Sequence, residues 1–420
     1  MNTKEYDHGL PDISSGKLFQ QLLNYCNFGP VCPGSKEEIL VRDYIKMQFE
    51  NKGLHNVYIE EFDYPQYTNL ECGLNIESPE RMEITCEPLE YSGNRTSEGE
   101  LIYLGDFSSK ESDYIERNKI DTTNKIIAIS SRRPYMIVPE LKKLGAAGVI
   151  VISDAPQNLI RHSVARMGLR EGESMNEYVS EIPGVVISSD DAKYLLTLAT
   201  TGATRVRLKH QGSITIKKSW NVIGEVPGAN QTSEFVTVGA HYDTKKVGGA
   251  WDNGVGVAGL IELAGIFANL HPKRRIEFCA FGCEEIGLFG SASRVQKSIE
   301  NITKCITYVN LDSTSARIAP INQLYVTPRT RDFALKTVRT KTDWRIDTFK
   351  EISPFEYSCD YVAYIKQGVG VIWASQQGNP YFHTSNDTID TIDIDELNKT
   401  TTVAGLCLFD LIYLDNPFEF

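Results

Sequence analysis

"VGGAWDNGVGVAG", residues 247–259, sets one acidic residue, Asp252, among small residues immediately before an apolar helical pattern. Just upstream, "FVTVGAHYDT" (235–244) is an apolar run that ends on His241 and Asp243. A strand ending on a histidine and a carboxylate, a glycine-rich loop with another carboxylate, then a helix: this is one repeat of an α/β fold. In open α/β sheets ligands gather at the C-terminal ends of strands. The remaining strand ends are therefore where further chemistry is expected.

The alternation continues from here to the C-terminus. Strands read at 235–241, 275–281, 304–311 and 368–374, and helices at 255–269, 331–340 and 395–413. That repetition predicts an α/β domain with a doubly wound, mainly parallel sheet. Ile39–Lys52 carries Ile39, Leu40, Tyr44, Ile45 and Phe49 at helical spacing. "HNVYIEEFDYP" (55–65) reads as a strand that Pro65 stops. Between about 66 and 214 the texture changes to short strand candidates ("ECGLNIE", "ERMEITCE", "ELIYLGD", "KIIAISS", "GVIVIS", "GVVISS") with no cluster of histidines and acids. The simplest parse is a discontinuous α/β domain, residues 1–65 and 215–420, with a β-rich module, 66–214, inserted. Insertion at a surface loop leaves the host core intact.

Composition excludes several classes. The 420 residues are 41% hydrophobic and 23% charged, ample for a packed core. Forty-three Lys and Arg against 55 Asp and Glu leave −12 with no basic cluster, so neither nucleic acid nor an anionic membrane is an expected partner. No run approaches the roughly eighteen apolar residues of a membrane span. The start, "MNTKEYDHGLPDISSG", has no apolar core of a secretory signal, and the expectation is a cytoplasmic protein. Nine scattered cysteines without a C-x-x-C pair favour free thiols in a reducing compartment, with one or two disulfides as the alternative. Oligomeric state is not legible.

Polar residues stand at the predicted strand ends. His241 and Asp243 end the first; Glu284 and Glu285 follow "RRIEFCAFGC"; Asp312 follows "CITYVNL"; His383 lies in "NPYFHTSNDT", beyond "GVGVIWAS". Each alone has an ordinary reading as a cap, a turn or a solvated pair. Together, in this order, they are a set of two histidines and several carboxylates, the N and O donors that zinc accepts. Five side chains serve two cations only if one carboxylate is shared. Asp252 is the expected bridge, and its glycine neighbours are expected to let backbone crowd close to metal. Such a pair, roughly 3.5–4 Å apart, holds both an attacking water and a substrate carbonyl. Glu284 is then placed to take the proton of that water and pass it to the leaving amine. Asp243 is placed to accept the ring N–H of His241.

The segments "GAHYDT", "GAWDNGVG", "FCAFGCEEIGLFGS", "NLDS" and "YFHTSNDT" resemble the co-catalytic dinuclear zinc aminopeptidase family that also contains glutamate carboxypeptidases. The likeness covers roughly 215–420 plus the N-terminal helix and strand. It implies two zinc ions, with His241 and Asp312 on one, Glu285 and His383 on the other, and Asp252 shared. It also implies Glu284 as general base, Asp243 behind His241, and a cis peptide between Asp252 and Asn253. Through "LGAAGVIVI" and "IPGVVIS" the insertion resembles the protease-associated domain of several members. The implied activity is that of an exopeptidase on peptide substrates, an aminopeptidase in the first reading. A dipeptidase or carboxypeptidase with the same metals is the alternative, with Arg317 or Arg345 to clamp a terminal carboxylate. A single-zinc glutaminyl cyclase and a non-catalytic binding protein of the same fold match the full ligand set less well. Two positions depart from the family pattern. Relatives often carry Tyr before the last His, where this chain has Phe382, leaving Tyr381, Tyr361 or Tyr357 to assist the oxyanion. Relatives also commonly read S-D-H where this chain has "SCDYVAYIKQG" (358–368).

Overall fold

The structure, a computed structural model, describes residues 9–106, 115, 118–170, 172–229, 232–318, 320–352 and 358–418. The chain forms two units. One comprises Met1–Asp63, Lys218–Asn379 and Asn386–Phe420; the other comprises Tyr64–Lys217 and Pro380–Ser385. The sequence parse kept 215–420 together; the six residues Pro380–Ser385 instead pack with the second unit.

In the first unit the strands lie in the order Thr348–Glu351, Ile321–Val326, Gly370–Gln377, Cys305–Asn310, Phe235–His241, Arg275–Phe281. The last four pair in parallel. Ile321–Val326 and the 222–226 stretch of the strand Arg205–Val226 flank them in antiparallel pairing. Every residue of Phe235–His241 is buried, as expected of a continuous apolar run in a parallel strand covered on both faces. The register sets Phe281 beside His241 and Asn310 beside Gly239. Three strands therefore end at one level, and Glu284, Glu285 and Asp312 follow those ends at once.

The helix Val255–Phe267 is buried around almost its whole circumference, the fate of a helix apolar on every side. Asn253 starts it. Its Oδ1 accepts the Gly256 N–H at 3.0 Å, and its Nδ2 donates to the Leu311 carbonyl at 2.9 Å, tying the helix start to the strand end that carries Asp312. A helix absent from the sequence reading, Ser15–Cys26, is capped by the Ser14 side chain and buries Leu18, Leu22 and Tyr25. The Tyr25 hydroxyl donates to the Tyr242 carbonyl at 2.9 Å.

The second unit is built on parallel strands Arg95–Asp106, Ile126–Ser130, Gly148–Ile152 and Gly184–Ile187. The 205–210 stretch pairs antiparallel at one edge and Glu87–Pro88 at the other. Alternate residues point to opposite faces of such a sheet. Ile126, Ala128, Ile150, Val185 and Ile187 pack with Ala192 and Leu195 on one face. Ile127, Ile129, Val149, Val151 and Val186 pack with Val138 and Leu141 on the other. One element corrects the sequence reading: the strand begun at His55 does not stop at Pro65 but runs to Ser78. Pro65 offers only a carbonyl, and the Tyr91 hydroxyl donates to it at 2.9 Å. All nine cysteines are free thiols. No helix among the described residues is long and apolar enough to cross a membrane.

Candidate metal centre

His241, Asp252 and Asp312 converge. His241 Nε2 lies 3.2 Å from Asp252 Oδ1 and 3.6 Å from Asp312 Oδ1, and the donor atoms of all three lie within 4.8 Å of one another. The other ring nitrogen, Nδ1, is 3.1 Å from the Asp243 carbonyl. A carbonyl only accepts, so Nδ1 carries a proton and Nε2 is turned toward the two carboxylates. Asp252 also comes within 4.8 Å of a Glu285 oxygen. Its carboxylate thus belongs to two donor groups, one with His241 and Asp312 and one with Glu285.

The charge balance of this cluster calls for cations. Asp243, Asp252, Glu284, Glu285 and Asp312 are all buried. Lys245 is buried with them, its ammonium 3.6 Å from Glu285 Oε2 and donating to the Glu285 carbonyl. Burial alone would depress the His241 pKa, yet the charge of Glu284 with Asp243, Asp252 and Asp312 drives it well above the ordinary range. Buried carboxylates in such excess persist only when paired with protons or metal. A proton on Nε2 stands where a metal ion fits the same donors. Burial likewise lifts Glu284 well above the usual carboxyl range, against the pull of His241. Asp312 goes the other way: burial raises it, but His241, Cys359 and Ser313 hold it below its ordinary value.

The supports of the cluster come from residues the sequence did not single out. Asp387 accepts the backbone N–H groups of Trp251 and Asp252 at 2.8 and 3.2 Å, fixing the loop behind the Asp252 carboxylate. The peptide between Asp252 and Asn253 is cis. Asp312 Oδ1 accepts from Ser313 Oγ and Oδ2 from Cys359 Sγ, both at 2.7 Å, and its carbonyl accepts from Trp373 Nε1 at 2.9 Å. Asp243 differs from the sequence expectation. Its carbonyl, not its carboxylate, receives the His241 ring N–H; Oδ1 lies 3.7 Å from Nδ1. The carboxylate instead accepts the amides of Glu284 at 3.0 Å and Glu285 at 3.2 Å, holding the turn on which both stand.

Neighbouring protein needs the glycines around Asp252. A Cβ on Gly248 would sit 2.2 Å from the Asp387 carbonyl oxygen, and one on Gly249 would sit 2.2 Å from Thr244 Cγ2. Gly248→Ala is therefore expected to destabilise the fold by about 1–3 kcal/mol, since backbone must move; a denaturant midpoint equal to that of the unmodified protein would contradict this. Asp387→Ala is expected to weaken zinc binding by about 10–100-fold, the usual effect of losing a group that orients a ligand. Competition with a chelator measures it, and unchanged affinity would remove Asp387 from the support.

The remaining sequence candidates have these settings. Tyr361 is buried, its hydroxyl 2.5 Å from Ser358 Oγ and its ring against Trp373. Tyr357 lies outside the described residues. Tyr381, Phe382 and His383 belong to the Pro380–Ser385 segment of the second unit, where His383 Nδ1 lies 3.1 Å from the His162 carbonyl. The Arg317 guanidinium donates to the Ile392 carbonyl at 3.0 Å, and Arg345, largely exposed, pairs with Asp347 at 2.6 Å.

The doubly wound sheet carries a histidine–carboxylate cluster at its strand ends, and comparison with known proteins shows what the chain is similar to. Residues 221–407 match the model of Peptidase family M28. Aminopeptidase YwaD of Bacillus subtilis (strain 168) is 26% identical over 298 residues, 68% of this chain and 62% of that protein. A probable glutamate carboxypeptidase of Arthroderma benhamiae is 27% identical over 208 residues, 39% of this chain and 28% of that protein. The chain thus spans less than two thirds of the length of these relatives. Among solved structures, a zinc aminopeptidase from Bacillus subtilis shares the fold with a TM-score of 0.72 and 20% identity, over 97% of both chains.

Proposed function

We propose that the protein is a zinc exopeptidase with two metal ions, acting as an aminopeptidase on peptides. The observation that carries this is the Asp252 carboxylate, within 4.8 Å of His241 and Asp312 donors and of a Glu285 donor, with a Glu284 oxygen within 4.8 Å of Asp312. His241 and Asp312 are assigned to one zinc, Glu285 and His383 to the other, and Asp252 to both. When bound, a zinc pair polarises the scissile carbonyl and acidifies the attacking water. Glu284 then does the proton work. Burial makes its carboxylate a stronger base than a solvated one, so it accepts the proton of the attacking water and delivers it to the leaving amine. Asp243 fixes the backbone of Glu284, which keeps that carboxylate in register with the ligands. Tyr381 and Tyr357 remain as oxyanion candidates, since the Tyr361 hydroxyl is engaged by Ser358. The second unit is assigned as a protease-associated-like module.

The carboxypeptidase reading has weaker support. It needs a guanidinium to receive a terminal carboxylate, and Arg317 and Arg345 are both committed elsewhere. A panel of peptides with free or acetylated N-termini and free or amidated C-termini decides. Acetylation is expected to abolish hydrolysis while amidation is tolerated; the reverse pattern would establish a carboxypeptidase.

A further inference from the structure

His383 stands on a backbone that needs holding. Its φ is +57°, a left-handed conformation that only a few per cent of residues with a side chain adopt. The groups that hold it come from the second unit's own strand-to-loop connection after Ile152. Arg161 is 2% exposed, and a buried guanidinium persists only with its donors met. Nε pairs with Asp154 Oδ1 at 2.7 Å. Nη1 donates to the Phe382 carbonyl, and Nη2 donates to the Pro380 carbonyl at 3.1 Å. The guanidinium also faces the Phe382 ring, 5.6 Å from its centroid. The next residue completes the grip: the His162 N–H donates to the His383 carbonyl at 3.0 Å, and the His162 carbonyl lies 3.1 Å from His383 Nδ1. Since that carbonyl only accepts, the His383 proton is fixed on Nδ1, leaving Nε2 as the nitrogen able to bind metal.

We infer that Arg161 is a positioning residue for His383: with the His162 backbone it sets the loop geometry and ring tautomer of that proposed ligand. The segment that carries this proposed ligand is held by Asp154, Arg161 and the 162 peptide of the same unit. Arg suits the task because its planar fork reaches two carbonyls at once while its third edge meets a carboxylate; Lys supplies one point of contact.

The inference rests on His383 being a zinc ligand, and the test separates the two claims. Zinc affinity is measured by chelator competition, with no substrate present, on the unmodified protein, His383→Ala, Arg161→Met and the double variant. His383→Ala is expected to weaken one of the zinc equivalents, leaving the other near its original affinity. Arg161→Met is expected to weaken the same equivalent by about 10–100-fold and to have no further effect in the His383→Ala background. Arg161→Lys should restore part of the loss. If His383→Ala binds zinc as the unmodified protein does, the ligand assignment fails and the inference with it. If His383→Ala loses zinc but Arg161→Met does not, or if the two losses simply add, the ligand stands and the positioning role is overturned. Should Arg161→Met not fold, by circular dichroism, the same cycle is read with Arg161→Lys and with Asp154→Asn, which leaves every Arg161 donor in place but removes the opposing charge. Unchanged affinity in both would equally overturn the role.

Discussion

Glu284→Gln is expected to keep the zinc content of the unmodified protein while kcat falls by about 10²–10⁴-fold, the range that general acid–base catalysis supplies. The substitution is nearly isosteric, and the contact that places this residue is made by its backbone: the Glu284 N–H is held by Asp243 Oδ1 at 3.0 Å whatever the side chain. What changes is the capacity to accept a proton. Glutamine keeps an oxygen and loses the basicity that burial confers on the carboxylate. Glu285→Gln gives the opposite result if the roles are as assigned: zinc is lost first, and activity with it. Measuring metal content and kcat on both variants decides between neighbours. A Glu284→Gln protein that loses zinc, beside a Glu285→Gln protein that retains it, would show the pair to be assigned in reverse.

That such a pair can be assigned from sequence reflects where the information lies. The parallel strands Phe235–His241 and Arg275–Phe281 are dense apolar runs whose ends are marked by an abrupt change to charge, so their limits and the residues following them are legible. The helix Phe289–Lys297 is not. Its sequence, with a glycine and two serines in nine residues, has poor intrinsic propensity. It forms through tertiary fit, since a Cβ on Gly290 would lie 2.3 Å from the Gly282 carbonyl oxygen. Ile321–Val326 is equally hidden, a short edge-side strand whose first three residues are partly or fully exposed. Within the site the same division holds. Ligand types and order are carried by the side chains themselves and can be read. Supports depend on which distant loop lies behind a ligand. Asp387 reaches the Asp252 amide across 135 positions, and Cys359 reaches Asp312 across 47; no spacing rule connects them. The Asp243 carboxylate shows the limit most clearly: its residue type and offset from His241 fit two arrangements, and only the fold chooses between the ring and the Glu284–Glu285 amides.

Asp252→Ala tests the whole construction. The protein as it stands is expected to bind close to two equivalents of zinc and to lose activity on chelation. Removing the shared carboxylate is expected to bring zinc content to one equivalent or less and to lower kcat/KM by at least about 10³-fold, as both Lewis-acid positions are disturbed together. The structure also supplies the control for a simple folding defect. If Asp252 were only a helix cap, its loss would cost about 1 kcal/mol and leave metal untouched. The cap, however, is the next residue: Asn253 Oδ1 takes the Gly256 N–H, and Asn253 Nδ2 ties the helix start to Leu311. The backbone of residue 252 is held independently by Asp387. Asn253→Ala is thus expected to lower stability more than zinc content, and Asp252→Ala to lower zinc content more than stability. Denaturant midpoints and metal analysis on the same preparations read both quantities. A single zinc per chain in the unmodified protein, firm after saturation, would defeat the shared-carboxylate centre and point to single-zinc chemistry on this fold. An Asp252→Ala protein that still holds two would leave Asp252 a structural residue and deny the proposed centre its bridge.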